Sequence, residues 1–357
     1  MPENPRENRE RPVRVALLGQ PNVGKSSLFS RLTGVGVISS NYPGTTVSFD
    51  EGAITRNGRT VTVRDLPGTY SISGNSDDER VVLENLMEEE FDCVVLVADA
   101  ASLSGSLTLC IEVMELGIPT ILALNKIDAA RRDFDIDAEK LGSLLGTKVV
   151  FVSSKTSEGV DALADAICAG EAVLSPLKIS YDAGIEAGIA CVSDALPEHL
   201  PFSRRGIALK ILEGTTEFDS YADANLVSSA DSIEKLYEKT EGRTMAVSIA
   251  TARYAFVESV CKESVRRIER KQTFSERLSD ILITPRYGLP ILAAVCLAIL
   301  AIVIYGGSFL DSIVSGAYDA AVGDYFIRLG ADIGGKFGEA VFTGIDGSFR
   351  AILGLVI

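Results

Sequence analysis

Nine residues, GQPNVGKSS at Gly19–Ser27, constrain this chain more than any other feature. They fit the spacing GxxxxGK[ST] and lie between a β-rich run, VRVALL, and a helical run that starts at Lys25. At such a junction Gly19 and Gly24 let the backbone wrap, so that the N–H groups of Asn22, Val23 and Ser27 and the helix N-terminus cradle phosphates. Lys25 can reach the β and γ phosphates, and the Ser26 hydroxyl can ligate Mg²⁺. A strand feeding a loop feeding a helix commits this part of the chain to an α/β layer.

The motifs that follow narrow the ligand. DLPG, Asp65–Gly68, comes straight after the strand TVTVR. Asp65 can hold Mg²⁺ through water there, and the Gly68 N–H can contact the γ-phosphate. NKID, Asn125–Asp128, follows the apolar run TILAL. The Asp128 carboxylate can accept from both the ring N–H and the exocyclic amine of guanine, whereas adenine presents an acceptor and leaves that charge unpaired. Asn125 and Lys126 stand beside it, and SSK, Ser153–Lys155, ends the next strand, where backbone amides can meet the guanine oxygen. NYPGTT, Asn41–Thr46, is a turn-rich segment able to fold a threonine onto Mg²⁺ when a γ-phosphate is bound. This order of motifs at strand ends specifies GTP and GDP as ligands.

From Val13 to about Gly170 short β-rich runs alternate with amphipathic ones. Strands are expected at 14–18, 47–55, 60–64, 92–98, 120–124 and 148–152, and helices at 25–32, 77–89, 104–116, 137–145 and 160–169. Apolar strands such as CVVLVA and TILAL suit a mostly parallel sheet buried on both faces. Residues 171–283 lose the strand pattern, and SIEKLYEK and TARYAFVESVCKESVRRIERK carry helical spacing, so an all-α domain is expected there. Residues 1–12, MPENPRENRERP, read as a mobile tail without the apolar core of a secretory signal.

Mean hydropathy is +0.23 although the net charge is −15. The reason is Tyr287–Tyr305, 19 residues without a charge. A span of that length and composition is expected to cross a bilayer. Arg266, Arg267, Arg270, Lys271, Arg277 and Arg286 precede it and Asp311, Asp319 and Asp324 follow, so the positive-inside rule puts the preceding domains in the cytoplasm of a cell membrane. Residues 284–357 form the membrane region, and the final FRAILGLVI is too short to span. A charge of −15 is a poor match to nucleic acid. Six scattered cysteines and one histidine argue against a disulfide framework or a Cys/His zinc site.

The strings GQPNVGKSSLFSRLTG, NYPGTTVSFDEG, DLPGTYSISGNSDDERVV and ELGIPTILALNKID, with RRGIALKILEG, RYAFVESV and SERLSDILITPRYGLPI, resemble the FeoB family of ferrous-iron transport proteins. The resemblance implies a phosphate-loop GTPase domain, a helical domain and the first membrane helix of a transporter. It makes Thr46 the switch threonine on Mg²⁺, with Gly44 and Thr45 beside it and Thr45 a spacer. It makes Asn22 a ligand of K⁺ beside the phosphates, and Lys25, Thr46, Gly68 and Asn22 the groups that carry hydrolysis. Gln20 and Lys126 depart from the family's usual residues. Thr69 stands where a Ras-like GTPase has a water-orienting glutamine, so hydrolysis is expected to be slow, with K⁺ as the substitute charge.

Complete members of the family continue through further membrane helices. One helix per chain cannot conduct Fe²⁺. The expectation is therefore a GTP-hydrolysing cytoplasmic part that gates Fe²⁺ uptake through a membrane core supplied elsewhere, by an oligomer or a downstream subunit. The alternative is a peripheral regulatory GTPase acting on RNA or ribosomes.

Overall fold

The computed structural model describes residues 13–34, 38–41, 48–268, 274–333 and 335–356. These fall into two compact units, divided after residue 269.

The first unit is built on one large sheet and a separate two-stranded ribbon. Its strands are β1 (Val13–Gly19), β2 (Ile38–Asn41), β3 (Ser48–Arg56), β4 (Arg59–Asp65), β5 (Cys93–Asp99) and β6 (Pro119–Asn125). They are followed by β7 (Phe134–Ile136), β8 (Lys148–Phe151), β9 (Val173–Leu174) and β10 (Val265–Arg267). The order in the large sheet is β2-β3-β4-β1-β5-β6-β8, with β9 on the start of β6, and β7 and β10 form the ribbon. β4, β1, β5, β6 and β8 pair in parallel, while the β2–β3, β3–β4 and β6–β9 pairs are antiparallel. Parallel strands bring their carboxyl ends to one edge, and ligands of such sheets bind outside that edge. The motif-bearing loops after β1, β4, β6 and β8 therefore share one side of the sheet.

The helices around this sheet are α1 (Lys25–Thr33), α2 (Asp77–Glu88), α3 (Leu103–Glu115), α4 (Ile127–Ala130), α5 (Ala138–Leu145) and α6 (Val160–Ala169). One core, containing Leu28 and Phe29 of α1 and Leu163 and Ile167 of α6, covers one face of the sheet. The other face is covered by α2, α3 and α5, and its core runs on without a break into α7 (Ala183–Ala195), α8 (Arg204–Leu212), α9 (Ala224–Glu241) and α10 (Met245–Ser264). The helical region is thus not a separately cored lobe. α3 lies between sheet and helices, and it is buried on every side from Ser106 to Glu115. Two of those buried residues are glutamates, Glu112 and Glu115, which makes charge partners from the neighbouring helices obligatory.

The helical spacing read through residue 271 is corrected at its end. α10 stops at Ser264, and Val265–Arg267 turns into β10, which pairs antiparallel with β7. The ribbon is extended by Asp137 N donating to Ser264 O at 2.9 Å and Ile268 N donating to Asp133 O at 2.8 Å. Three β-branched or long residues at a helix end satisfy strand and helix spacing equally well, and a partner strand 130 residues upstream decides between them.

The second unit holds α11 (Phe274–Ile283), α12 (Pro285–Tyr318), α13 (Asp324–Ile333) and α14 (Lys336–Val356). α12 opens on a proline at its first turn, where the missing N–H costs nothing. It runs well past the charge-free stretch, and the apolar window of this helix has mean hydropathy 2.7 with none of it buried. Within the unit, Tyr318 Oη donates to Asp346 at 2.9 Å, and Arg350 pairs with Asp346 and Asp319 at 2.7 and 2.6 Å.

Candidate functional site

The phosphate loop leaves the end of β1 under tight steric control. A Cβ on Gly19 would stand 2.4 Å from Val97 O, and one on Gly24, whose φ is +88°, would stand 2.4 Å from Asn125 Nδ2. Neither position tolerates a side chain. Gly24 is also the N-cap of α1, and its carbonyl accepts from Leu28 N at 2.9 Å, so the first turn of α1 is aimed into the loop. Asn22 takes the left-handed conformation at φ 66° with its side chain exposed, and Val23 is buried beneath it. The side chains of Ser26 and Ser27 lie exposed on the first turn of α1.

Lys25 and Asp65 are both buried and their side chains meet at 2.5 Å. The end of β1 and the end of β4 are thereby tied through their two motif residues, and Leu66 N donates to Leu17 O at 3.1 Å alongside. The DLPG loop then folds against the phosphate loop. A Cβ on Gly68 would approach Pro21 to 3.1 Å, and Thr69 N donates to Gly19 O at 3.3 Å. Thr69 itself is 2% exposed, and its hydroxyl donates to Ser71 O at 2.7 Å. The one hydrogen of that hydroxyl is thus committed to the backbone.

The guanine motifs form a third wall. Asn125 Nδ2 donates to Val23 O at 2.8 Å and its Oδ1 accepts from Ser154 N at 2.9 Å, so one amide joins the NKID, phosphate and SSK loops. Asp128 Oδ1 accepts from the fully buried Ser153 hydroxyl at 2.7 Å. That hydrogen bond, with Lys155 and Arg132 nearby, holds the Asp128 carboxyl below its ordinary value, so it stays ionised near neutral pH. Lys155 points to solvent. Lys126 has φ 61° and sends its Nζ to Asn22 O at 2.6 Å and to Asp99 Oδ2 at 2.7 Å.

Of the sequence-predicted site residues, Gly19, Asn22, Val23, Gly24, Lys25, Ser26, Ser27, Asp65, Gly68, Asn125, Lys126, Asp128, Ser153, Ser154 and Lys155 converge at this edge of the sheet. Gly44, Thr45 and Thr46 lie outside the described residues. Asp99 is the residue that sequence reasoning missed. It ends the CVVLVAD strand, and the signal available was its place at the same edge, one strand from NKID. Glu89, at the end of α2, pairs with Arg14 at 2.5 Å and Arg64 at 3.0 Å. Among the described residues no group of three or more His, Cys, Asp or Glu side chains is placed to hold a metal ion.

Comparison with known proteins gives a consistent result. Residues 13–167 match the family model of ferrous iron transport protein B, and residues 181–266 match that of the FeoB cytosolic helical domain. The Fe(2+) transporter FeoB of Salmonella typhi is 33% identical over 284 residues, 78% of this chain and 36% of that protein. That of Escherichia coli K12 is 30% identical over the same shares. The chain spans about a third of the length of these curated relatives, 36%. Among solved structures, the apo cytosolic domain of the T. maritima FeoB iron transporter is 34% identical with a TM-score of 0.62, covering 72% of this chain and 100% of that one. Its GMPPNP form gives 0.61, with 71% and 99% covered at the same 34% identity. A GDP-bound mutant of the S. thermophilus FeoB G-domain gives 0.64 at 31% identity, covering 71% and 100%.

Proposed function

The chain belongs to the FeoB family of ferrous-iron transport proteins, and on that premise we propose that residues 13–170 bind GTP and hydrolyse it slowly to GDP and phosphate, as the cytoplasmic part of a Fe²⁺ transporter. The observation that carries this reading is the convergence of Lys25, Asp65, Gly68, Asn125 and Asp128 at the carboxyl edge of one sheet, three loops being joined through Asn125. Solved relatives in GDP and GMPPNP forms support it.

Asp128, held ionised by Ser153, selects guanine by accepting two N–H groups at once. Asn125 fixes the loops on which both ends of the nucleotide rest. Lys25 releases Asp65 to reach the β and γ phosphates, and the N–H groups of Gly24, Lys25 and Ser26 complete the cradle. Ser26 and Asp65 offer an exposed hydroxyl and a carboxylate at adjoining loop ends, an oxygen donor set that fits Mg²⁺, and Thr46 is the proposed third ligand. Bound by these groups, Mg²⁺ would supply positive charge against the β and γ oxygens. Gly68 N–H faces the γ-phosphate. Thr69 supplies no general base, so Asn22 is assigned to hold K⁺ as the compensating positive charge.

The 34-residue helix Pro285–Tyr318 is proposed to enter the bilayer from the cytoplasmic side, with the Fe²⁺ path formed by further membrane helices in an oligomer or a longer assembly. A competition titration tests the nucleotide reading: GDP should displace a fluorescent guanine nucleotide at least about a hundredfold better than ADP. GTP turnover should be faster in K⁺ than in Na⁺, and Asn22→Ala should abolish that difference. Equal displacement by ADP overturns the guanine assignment, and equal turnover in both salts removes the K⁺ role.

A further inference from the structure

The segment after DLPG does not end in solvent. Ile72 N donates to Glu112 Oε2 at 3.1 Å, and the Ser71 hydroxyl lies 3.1 and 3.3 Å from the same carboxylate. Glu112 belongs to α3, inside the GTP-binding region, but its charge is answered from outside it. Lys210 Nζ of α8 reaches Glu112 Oε2 at 3.2 Å, and Arg253 of α10 lies 3.8 Å away. Lys210 is 1% exposed and also lies 3.0 Å from Glu213. Arg253, equally buried, pairs with Glu115 at 2.7 Å and with Glu213, and Tyr181 Oη donates to Glu115 at 2.7 Å.

Burial alone would raise the Glu112 carboxyl. Lys210 and Arg253, with the Ile72 N–H, outweigh it and hold the group below its ordinary value, so Glu112 remains a carboxylate. Its Lys210 partner also stays charged: burial pushes it down, and Glu112 and Glu213 more than restore it. A buried ion pair of this kind contributes little net stability, but removing one partner leaves an uncompensated charge. Of the two cations that answer the carboxylate holding Ile72 and Ser71, Lys210 is the nearer, and losing it leaves most of that charge unanswered. The links run without a gap from Gly19 O to Thr69 N, from the Thr69 hydroxyl to Ser71 O, from Ser71 to Glu112 and from Glu112 to Lys210.

We propose that Glu112 is a positioning residue for the DLPG loop and that Lys210, from the helical region, is the counter-charge it requires. Hydrolysis by residues 13–170 then depends on a lysine outside them. The proposal rests on the GTPase reading for its kinetic consequence and on geometry alone for the loop.

The test uses the full chain. Lys210→Met should lower the GTP turnover number about tenfold or more, because the loop facing the γ-phosphate loses its fixed position. GDP affinity should stay within about threefold, since no nucleotide-contacting loop after β6 or β8 is touched. Amide exchange at Ile72 should accelerate. Glu112→Gln/Lys210→Met removes one charge of each sign, keeps an acceptor for Ile72 N–H and leaves the net charge of the cluster unchanged. It should recover Ile72 protection and most of the turnover. A folded Lys210→Met protein with unchanged turnover and unchanged Ile72 exchange overturns the proposal. So does a double variant no better protected at Ile72 than Glu112→Ala, the reading that serves if Lys210→Met fails to fold. Failure of the unmodified chain to bind GDP would count against the GTPase reading instead, with the Ile72 exchange still deciding the position of the loop.

Discussion

At the scale of single residues, the site is a set of side chains each given two tasks. Lys126 closes the space between the phosphate and guanine loops because Asp99 and the Asn22 carbonyl each accept from its ammonium. Losing Asp99 frees a long lysine side chain and unties the NKID loop from the neighbouring strand. Asp99→Ala should therefore speed GDP dissociation by about fivefold to tenfold, consistent with about 1–1.4 kcal/mol for a partly exposed charge-assisted hydrogen bond. Stopped-flow release of a fluorescent GDP checks this, and Asp99→Asn, which keeps an acceptor, should lie between the two. The identities of Lys25, Asp65, Asn125 and Asp128 were legible in the sequence, since each chemistry demands one residue type at one spacing. Asp99 was not, because a carboxylate closing a buried strand has no motif of its own. Nor was the Lys25–Asp65 contact, which depends on two strands lying side by side.

At the scale of elements, the parallel strands were readable from their unbroken apolar runs, and the five expected helices around the sheet recur within a residue or two; the short α4 was not among those expected. Short strands that owe their form to a partner were not. β7 and β10 are three residues each, and neither periodicity nor propensity marks them. A two-stranded ribbon is marginal by itself. Its ladder includes the Ile268 N–H on Asp133 O, which proline cannot supply. Ile268→Pro should accelerate amide exchange at residues 134–137 and 264–267 only, leaving the global melting temperature within about 2 °C, as expected of a local opening. Cooperative loss of the whole unit would show that the ribbon is part of the core. The all-α domain expected after the sheet is present as α7–α10. That its core runs on into α3 was not legible, because nothing in the spacing around Glu112 and Glu115 shows which helices neutralise them.

At the scale of the molecule, an acidic nucleotide-binding unit is joined in sequence to a helix whose apolar window is unburied among the described residues. The charge of −15 and the mean hydropathy of +0.23 are averages over these two materials. An apolar face as long as α12 is unstable in water, so the chain should partition with membranes, resist high-salt washing and be released by detergent. Release by salt alone would make α12 a protein-covered helix. The central claim is that this chain reads guanine through Asp128, and base exchange tests it most directly. Asparagine at that position offers an N–H where the carboxylate offered an acceptor, which suits the C2 carbonyl of xanthine and opposes the C2 amine of guanine. Measured side by side, the unmodified chain should prefer GDP over XDP by about a hundredfold or more, and Asp128→Asn should invert that order. A folded Asp128→Asn protein that still prefers GDP would contradict the account.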